Sequence, residues 1–315
     1  MKITALSGGV GGAKMAHGLA QCLLPNELTI IVNTGDDFDH YGLRICPDLD
    51  TVCYTLAGLA NDATGWGRSR ESWQALEAAT ALGGPAWFSL GDRDLGTHLE
   101  RTRRLAHGQP LSEITRHFCR QWGIDVSILP MSDERAATIV DTVELGEISF
   151  QEYFVKHQCQ PAVRSFRFEG VERARPAPGV IAAIASADFV ILTPSNPWVS
   201  VAPILAVAGV REAMQAKEVV AISPIIAGKA IKGPAAKMYL EMGIEPSALA
   251  VAKHYQGLIS ALFIGTQDAA EAQAIGRLGI RPVVTDILMP TAAERKRLAG
   301  EVIAFLQLVY SEKGR

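Results

Sequence analysis

Apolar residues in this chain fall into short blocks that alternate with segments of helical spacing. The run Ile3-Thr4-Ala5-Leu6 leads into a glycine-rich stretch and then into helical periodicity over 13–23. Residues 28–33, Leu-Thr-Ile-Ile-Val-Asn, make a second apolar and β-branched block. Continuous blocks of this kind fit parallel strands buried on both faces. Further strands are predicted at 86–90, 126–129, 189–192 and 219–223, with short ones at 250–252 and 283–286. Helical patterns cover 71–82, 97–106, 112–122, 197–215 and 291–309. Pro234 opens another helix, at a position where its missing N–H is no loss.

The tract from Ala136 to Glu172 is patterned differently. Residues 138–143 and 164–168 alternate in polarity, as half-buried antiparallel strands do. The reading is a doubly wound α/β fold with a mainly parallel, Rossmann-like sheet. Residues 1–135 and 173–315 build its nucleotide-binding core, and 136–172 form a smaller inserted α+β subdomain.

Composition narrows the partners. With 48% hydrophobic and 20% charged residues the chain has the balance of a globular protein, and 315 residues suffice for one large domain with an insertion. A net charge of −3 gives no basic surface for a nucleic acid. The five cysteines, Cys22, Cys46, Cys53, Cys119 and Cys159, form no C-x-x-C pair, so neither a zinc site nor a disulfide framework is indicated. The apolar runs are broken by Asp, Lys or Pro before they reach membrane-spanning length, so a soluble, cytoplasmic protein is expected.

The candidate chemistry sits where predicted strands end. Ser7, Gly8, Gly9, Gly11, Gly12 and Lys14 lie between the first strand and the first helix. Glycines there let backbone approach a ligand, and a helix N-terminus offers amides to a phosphate. The motif is neither a Walker loop nor a clean dinucleotide fingerprint, because Lys14 stands where the latter needs its third glycine. After the second strand come Asp36, Asp37 and Asp39, then Asp48 and Asp50, five aspartates within fifteen residues. Carboxylates beside a phosphate loop repel an anionic substrate unless a cation neutralises them, which points to Mg2+. The alternative is a solvated turn, with Asp50 capping a helix that begins at Thr51.

Two further loops follow the same logic. Asp92, Arg93 and Asp94 follow the strand predicted at 86–90; Arg93 is a candidate phosphate or carboxylate partner, unless the three charges only neutralise one another. Ser195 and Asn196, bracketed by Pro194 and Pro197, suit base or phosphate recognition or a plain turn. Ser132 and Asp133 close another strand. Ser223 to Ile226 and Lys232-Gly233-Pro234 are weaker candidate walls.

Taken in order, Ser-Gly-Gly-x-Gly-Gly-x-Lys at 7–14, Val-Asn-Thr-x-x-Asp at 32–37, Pro-Asp-Leu-Asp-Thr-Val at 47–52, Leu-Gly-Asp-Arg-Asp at 90–94, Pro-Met-Ser-Asp at 130–133, Pro-Ser-Asn-Pro at 194–197 and Ser-Pro-Ile-Ile at 223–226 resemble the 2-phospho-L-lactate transferase family (CofD/FbiA). The resemblance spans nearly the whole chain. It implies a Mg2+-dependent step of coenzyme F-420 biosynthesis. A 2-phospho-L-lactyl or phosphoenolpyruvyl group passes from a guanosine diphospho-acyl donor to 7,8-didemethyl-8-hydroxy-5-deazariboflavin, and GMP leaves. It also implies a homodimer, a deazaflavin contact at Asp50, and a second contact at a position that is basic in relatives and is Ser89 here.

The site expected from these readings has Asp36, Asp37, Asp50 and Arg93 as catalytic residues, with the three aspartates also binding Mg2+. Asp50, Ser89, Asp92, Asp94, Ser132 and Asp133 bind substrate, while the glycine loop, Lys14, Ser195 and Asn196 bind nucleotide phosphate. Two rivals remain: a non-catalytic nucleotide-sugar-binding regulator of the YvcK type, which shares the glycine loop, and a nicotinamide-dependent oxidoreductase, which the imperfect fingerprint and the aspartate cluster disfavour. The regulators carry an acidic loop rich in glycine and serine, where this chain has Asp36-Asp37-Phe38-Asp39-His40.

Overall fold

The structure is a computed structural model that describes residues 1–231 and 233–313; Lys232 lies outside the described residues. Its centre is a seven-stranded, all-parallel sheet: β1 (Ile3–Ser7), β2 (Leu28–Val32), β3 (Ser127–Pro130), β4 (Phe189–Leu192), β5 (Glu218–Ile222), β6 (Ala261–Gly265) and β7 (Arg281–Thr285). The strand order is β7-β6-β5-β4-β1-β2-β3. This is the order of dinucleotide-binding folds with one strand added at the far edge.

Alternation along each strand splits the core in two. Ile3, Ala5, Ile30, Val32, Ile191 and Val220 face one side, where they pack under helices α1 (Gly9–Ala20), α2 (Pro47–Leu56) and the C-terminal helix Ala292–Lys313. Leu6, Ile31, Val190, Leu192 and Ala221 face the other, with Val180 and Ile184 of helix Val180–Ser186 and Val251 of helix Ala248–His254. Blocks of apolar residues were therefore the right signature, since both faces are covered.

Several elements depart from expectation. The helix expected at 13 begins at Gly9, so most of the glycine motif is helical rather than a loop. No strand forms at 86–90; Trp87 and Phe88 instead pack tilted or edge-on against Phe38 and His40 of the hairpin Phe38–His40/Leu43–Ile45. Residues 250–252 lie inside helix Ala248–His254, whose N-cap Ser247 accepts a hydrogen bond from the Ala250 amide, and the strand of this region is β6. Helical structure after Pro197 is broken into Pro197–Val201, Ala202–Ala206 and Val210–Met214. The middle tract holds a separate antiparallel sheet of Gly146–Ser149, Ala137–Thr142 and Val163–Glu169. Helices α3 (Gln74–Ala81), α4 (Asp92–Ala106) and α5 (Leu111–Gln121) lie between β2 and β3 in the chain. No helix among the described residues is long and apolar enough to cross a membrane.

Candidate active site

The chain leaves β1 for β2 on one side and later adds β4 on the other, so the two strand ends diverge at the carboxyl edge of the sheet. Ligands bind at such points in open α/β sheets. The turn after β1 and the loop after β4 are stitched together there. Gly8 N–H donates to Ser195 Oγ (3.1 Å), which donates in turn to the Gly8 carbonyl (2.7 Å). A Cβ on Gly11 would stand 2.3 Å from the Pro194 carbonyl oxygen, so that glycine is fixed by the close approach of the two segments. Gly9 has φ +64° and open space beside it.

A cavity of about 750 Å³ opens at this edge. Its lining includes the polar or backbone-rich positions Gly8, Gly9, Gly11, Lys14, Asp36, Asp48, Ser195 and Asn196. It also includes the aromatic side chains Tyr54, Trp66, Phe88, Phe150 and Phe154. The first amides of α1 do not all face a ligand. Gly9 N–H already donates to Asp48 Oδ1 (2.7 Å), which leaves those of Val10 and Gly11 on the cavity lining.

The aspartates divide into distinct environments. Asp48 is buried, and its Oδ2 accepts from Asn33 Nδ2 (2.9 Å). Burial pushes its carboxyl up to about 6, against the pull of Asn33 and Gly9. Asp36 is pushed well above the usual carboxylate range, first by burial and then by Asp48. Its Oδ1 is buried with no hydrogen-bond partner among the described residues. Two facing acids and an orphaned oxygen form a donor set that suits a hard divalent cation such as Mg2+. Asp37 is also buried and pushed up to about 7, but it does not line the cavity. Asp50 is held by Arg101, which donates through Nη1 to Oδ2 (3.1 Å) and through Nη2 to Oδ1. The expected metal trio of Asp36, Asp37 and Asp50 is thus not assembled, and Asp48 takes the place beside Asp36. Asp50 is no cap for a helix starting at Thr51 either, because α2 begins at Pro47.

Other expected residues have structural partners. Asp92 accepts from Ser72 Oγ (2.6 Å) and from the Gln74 and Ala75 amides, closing the start of α3. Arg93 is exposed and off the cavity wall, because the strand expected to aim it there is absent. Asp133 accepts from the Ser112 amide (2.7 Å) and hydroxyl (2.9 Å) at the start of α5, and Ser132 donates to Glu134; neither residue lines the cavity. Asn196 reaches the lining, but its side-chain oxygen accepts from the Trp198 amide (3.0 Å). Ser7 and Gly12 lie behind the wall, where a Cβ on Gly12 would meet the Ser7 hydroxyl at 2.5 Å. Ser89 sits exposed on the rim, and Asp94 lines the cavity while accepting from Tyr54 Oη (2.6 Å).

Three groups of site residues were not expected. Arg101 and His98 come from the face of α4 that packs behind the acids, at one helical turn from each other. Phe150, Gln151 and Phe154 reach the cavity from the segment after Gly146–Ser149. Trp66 arrives on an irregular loop whose Asp62 is held by Arg295 of the C-terminal helix (3.2 Å).

Comparison with known proteins agrees with this architecture. Residues 3–300 match the family model described as 2-phospho-L-lactate transferase CofD. The chain is 42% identical to the phosphoenolpyruvate transferase of Streptomyces griseus over 316 residues, covering 98% of this chain and 99% of that one. It is 46% identical to the phosphoenolpyruvate transferase of Thermobifida fusca over 267 residues, covering 81% and 83%. Among solved structures, a UPF0052-family protein of Bacillus halodurans aligns with TM-score 0.62 at 15% identity, over 96% of this chain and 98% of that one. That likeness concerns the fold alone. Neither the regulator nor the nicotinamide-dependent alternative is favoured by these matches.

Proposed function

Because the chain belongs to the 2-phospho-L-lactate transferase CofD family, and is thereby a transferase of coenzyme F-420 biosynthesis, we propose that its donor is a guanosine diphosphate carrying enolpyruvate and its acceptor 7,8-didemethyl-8-hydroxy-5-deazariboflavin. The enolpyruvyl donor is preferred over the 2-phospho-L-lactyl one because relatives sharing 40–46% of their residues with this chain are named phosphoenolpyruvate transferases. In this reading the terminal ribityl hydroxyl attacks the phosphorus that bears the acid. A new P–O bond forms, the anhydride bond to GMP breaks, and the hydroxyl proton is released.

The observation that carries the reading is the cavity at the carboxyl edge of the sheet, whose lining combines the glycine turn and acids with several aromatic rings. Phosphates fit beside the Val10 and Gly11 amides and Lys14, while a planar deazaflavin ring fits the wall of Tyr54, Trp66, Phe88 and Phe154. Asp36 and Asp48 would hold Mg2+, which supplies charge neutralisation at the phosphates. The protein's own contribution is then alignment of two substrates and exclusion of water, which phosphoryl transfer chiefly needs. A cytoplasmic homodimer completes the proposal, and sedimentation of the purified protein tests the dimer.

The direct experiment is incubation with Mg2+, the deazariboflavin and each guanosine diphospho-acid in turn, with products followed by mass spectrometry. The enolpyruvyl donor is expected to give a phosphoenolpyruvyl deazaflavin and GMP in equal amounts. A product from the lactyl donor alone would move the donor assignment, and no product from any donor would sink the reading.

A further inference from the structure

One buried cluster beside the cavity has the donor set of a metal site and is filled by something else. Asp50, Asp94 and His98 each offer a ligand atom, and the three atoms lie within 4.8 Å of one another. The guanidinium of Arg101 is already bound to this group. It is buried, with its side chain only 2% exposed, and it donates to both oxygens of Asp50, to His98 Nδ1 (3.1 Å) and to the Arg44 carbonyl (3.2 Å). Arginine has no lone pair to accept with, so His98 Nδ1 must be the acceptor. The ring N–H is therefore at Nε2. That nitrogen is buried 3.3 Å from Asp94 Oδ2 and has no hydrogen-bond partner among the described residues.

We propose that Arg101 is a positioning residue: a resident guanidinium that takes the place of a divalent ion among Asp50, Asp94 and His98, and fixes Asp50 and His98 at the cavity wall for the acceptor alcohol. A metal bound there would draw one ligand atom from each of the three towards itself and turn the carboxylates around that centre. The planar fork of arginine leaves each Asp50 oxygen a second lone pair, and Asp50 lines the cavity. It also gives the acid cluster two unlike parts, Asp36 and Asp48 with neutral hydrogen-bond donors and Asp50 with a guanidinium. The role toward the acceptor rests on the transferase reading; the exclusion of a metal from this group does not.

Titration with Co2+ followed by visible absorption tests the exclusion without turnover. The wild-type protein is expected to show no nitrogen-ligated cobalt band. Arg101→Met should gain one, lose it again when His98→Gln is added, and raise the acceptor KM about tenfold or more with the donor KM unchanged. Arg101→Lys keeps the cation and loses the fork, so it should raise the acceptor KM without a cobalt band. Cobalt bound through His98 in the wild type overturns the proposal, and so does a folded Arg101→Met protein that gains no band. Where Arg101→Met does not fold, Arg101→Lys decides: an unchanged acceptor KM overturns the positioning role. A protein that shows the cobalt pattern yet has no transferase activity would count against the function and leave the metal exclusion standing.

Discussion

Asp48 and Asp50 stand two positions apart in one helical turn and are given opposite surroundings. Among the described residues Asp48 has only neutral donors, Asn33 and the Gly9 amide, whereas Asp50 has a full guanidinium charge. Asp48→Asn keeps an oxygen for the Gly9 amide and removes the charge. We expect Mg2+ affinity measured by calorimetry to fall sharply and turnover to drop by about 100-fold or more, as when one preorganised electrostatic partner is removed. Asp37 makes a different prediction. Burial holds its folded-state value near 7, above the unfolded carboxylate. The native state therefore keeps a proton that the unfolded chain has lost, and the associated stability is present below about pH 4 and lost as pH rises through about 7. Asp37→Asn should gain on wild type between pH 5 and pH 8 in metal-free urea unfolding, by roughly 2–3 kcal/mol. A difference that stays flat across that range would mean the carboxyl is not held protonated. Sequence located the acids at the strand ends because glycine and aspartate mark such loops locally. Arg101 carries no local mark: its partner Asp50 lies about fifty positions earlier, and the packing of α4 on the hairpin strand Leu43–Ile45, just before α2, brings them together.

At the scale of elements, the turn from β1 into α1 decides the geometry of the polar wall. Glycines are poor helix formers, which is why the periodicity placed the helix start four residues late. Packing overrides propensity here, because α1 must run against α2 and the C-terminal helix while its first turn passes under the Pro194 carbonyl. Gly11→Ala would press a methyl onto backbone that has no way to yield, and a loss of about 1–3 kcal/mol or more is expected. Gly9→Ala meets no neighbour and pays only for its positive φ, about 1–2 kcal/mol. Chemical denaturation of both proteins should rank them in that order, and the reverse order would show that the two segments are not held by this approach. The misread stretches have a shared cause. At 86–90 and 250–252 short apolar runs fit either strand or buried contact, and periodicity over so few residues does not separate the two. The Ser247 cap was a legible sign of the helix at 248.

For the molecule as a whole, the cavity draws on segments from residue 8 to residue 290, so a ligand filling it ties both halves of the sheet to the native state. GDP with Mg2+ is expected to raise the unfolding midpoint, with stabilisation of about 2.7 kcal/mol at a hundredfold excess over Kd, while NAD should give no shift. A shift with NAD and none with GDP, read by thermal melting, would reverse the choice of nucleotide. Fold class was readable along the chain because parallel strands and their covering helices are local patterns. The aromatic wall was not, since Phe150, Gln151 and Phe154 come from a tract whose strands never join the parallel sheet. That separation has a consequence for descent. Changes at these few positions can re-cut the shape of the wall without disturbing strand register or the glycine turn. Members of this lineage can therefore drift apart in what they admit while the glycine-turn half of the cavity stays the same, and divergence in specificity should be sought in the tract 150–155 before anywhere else.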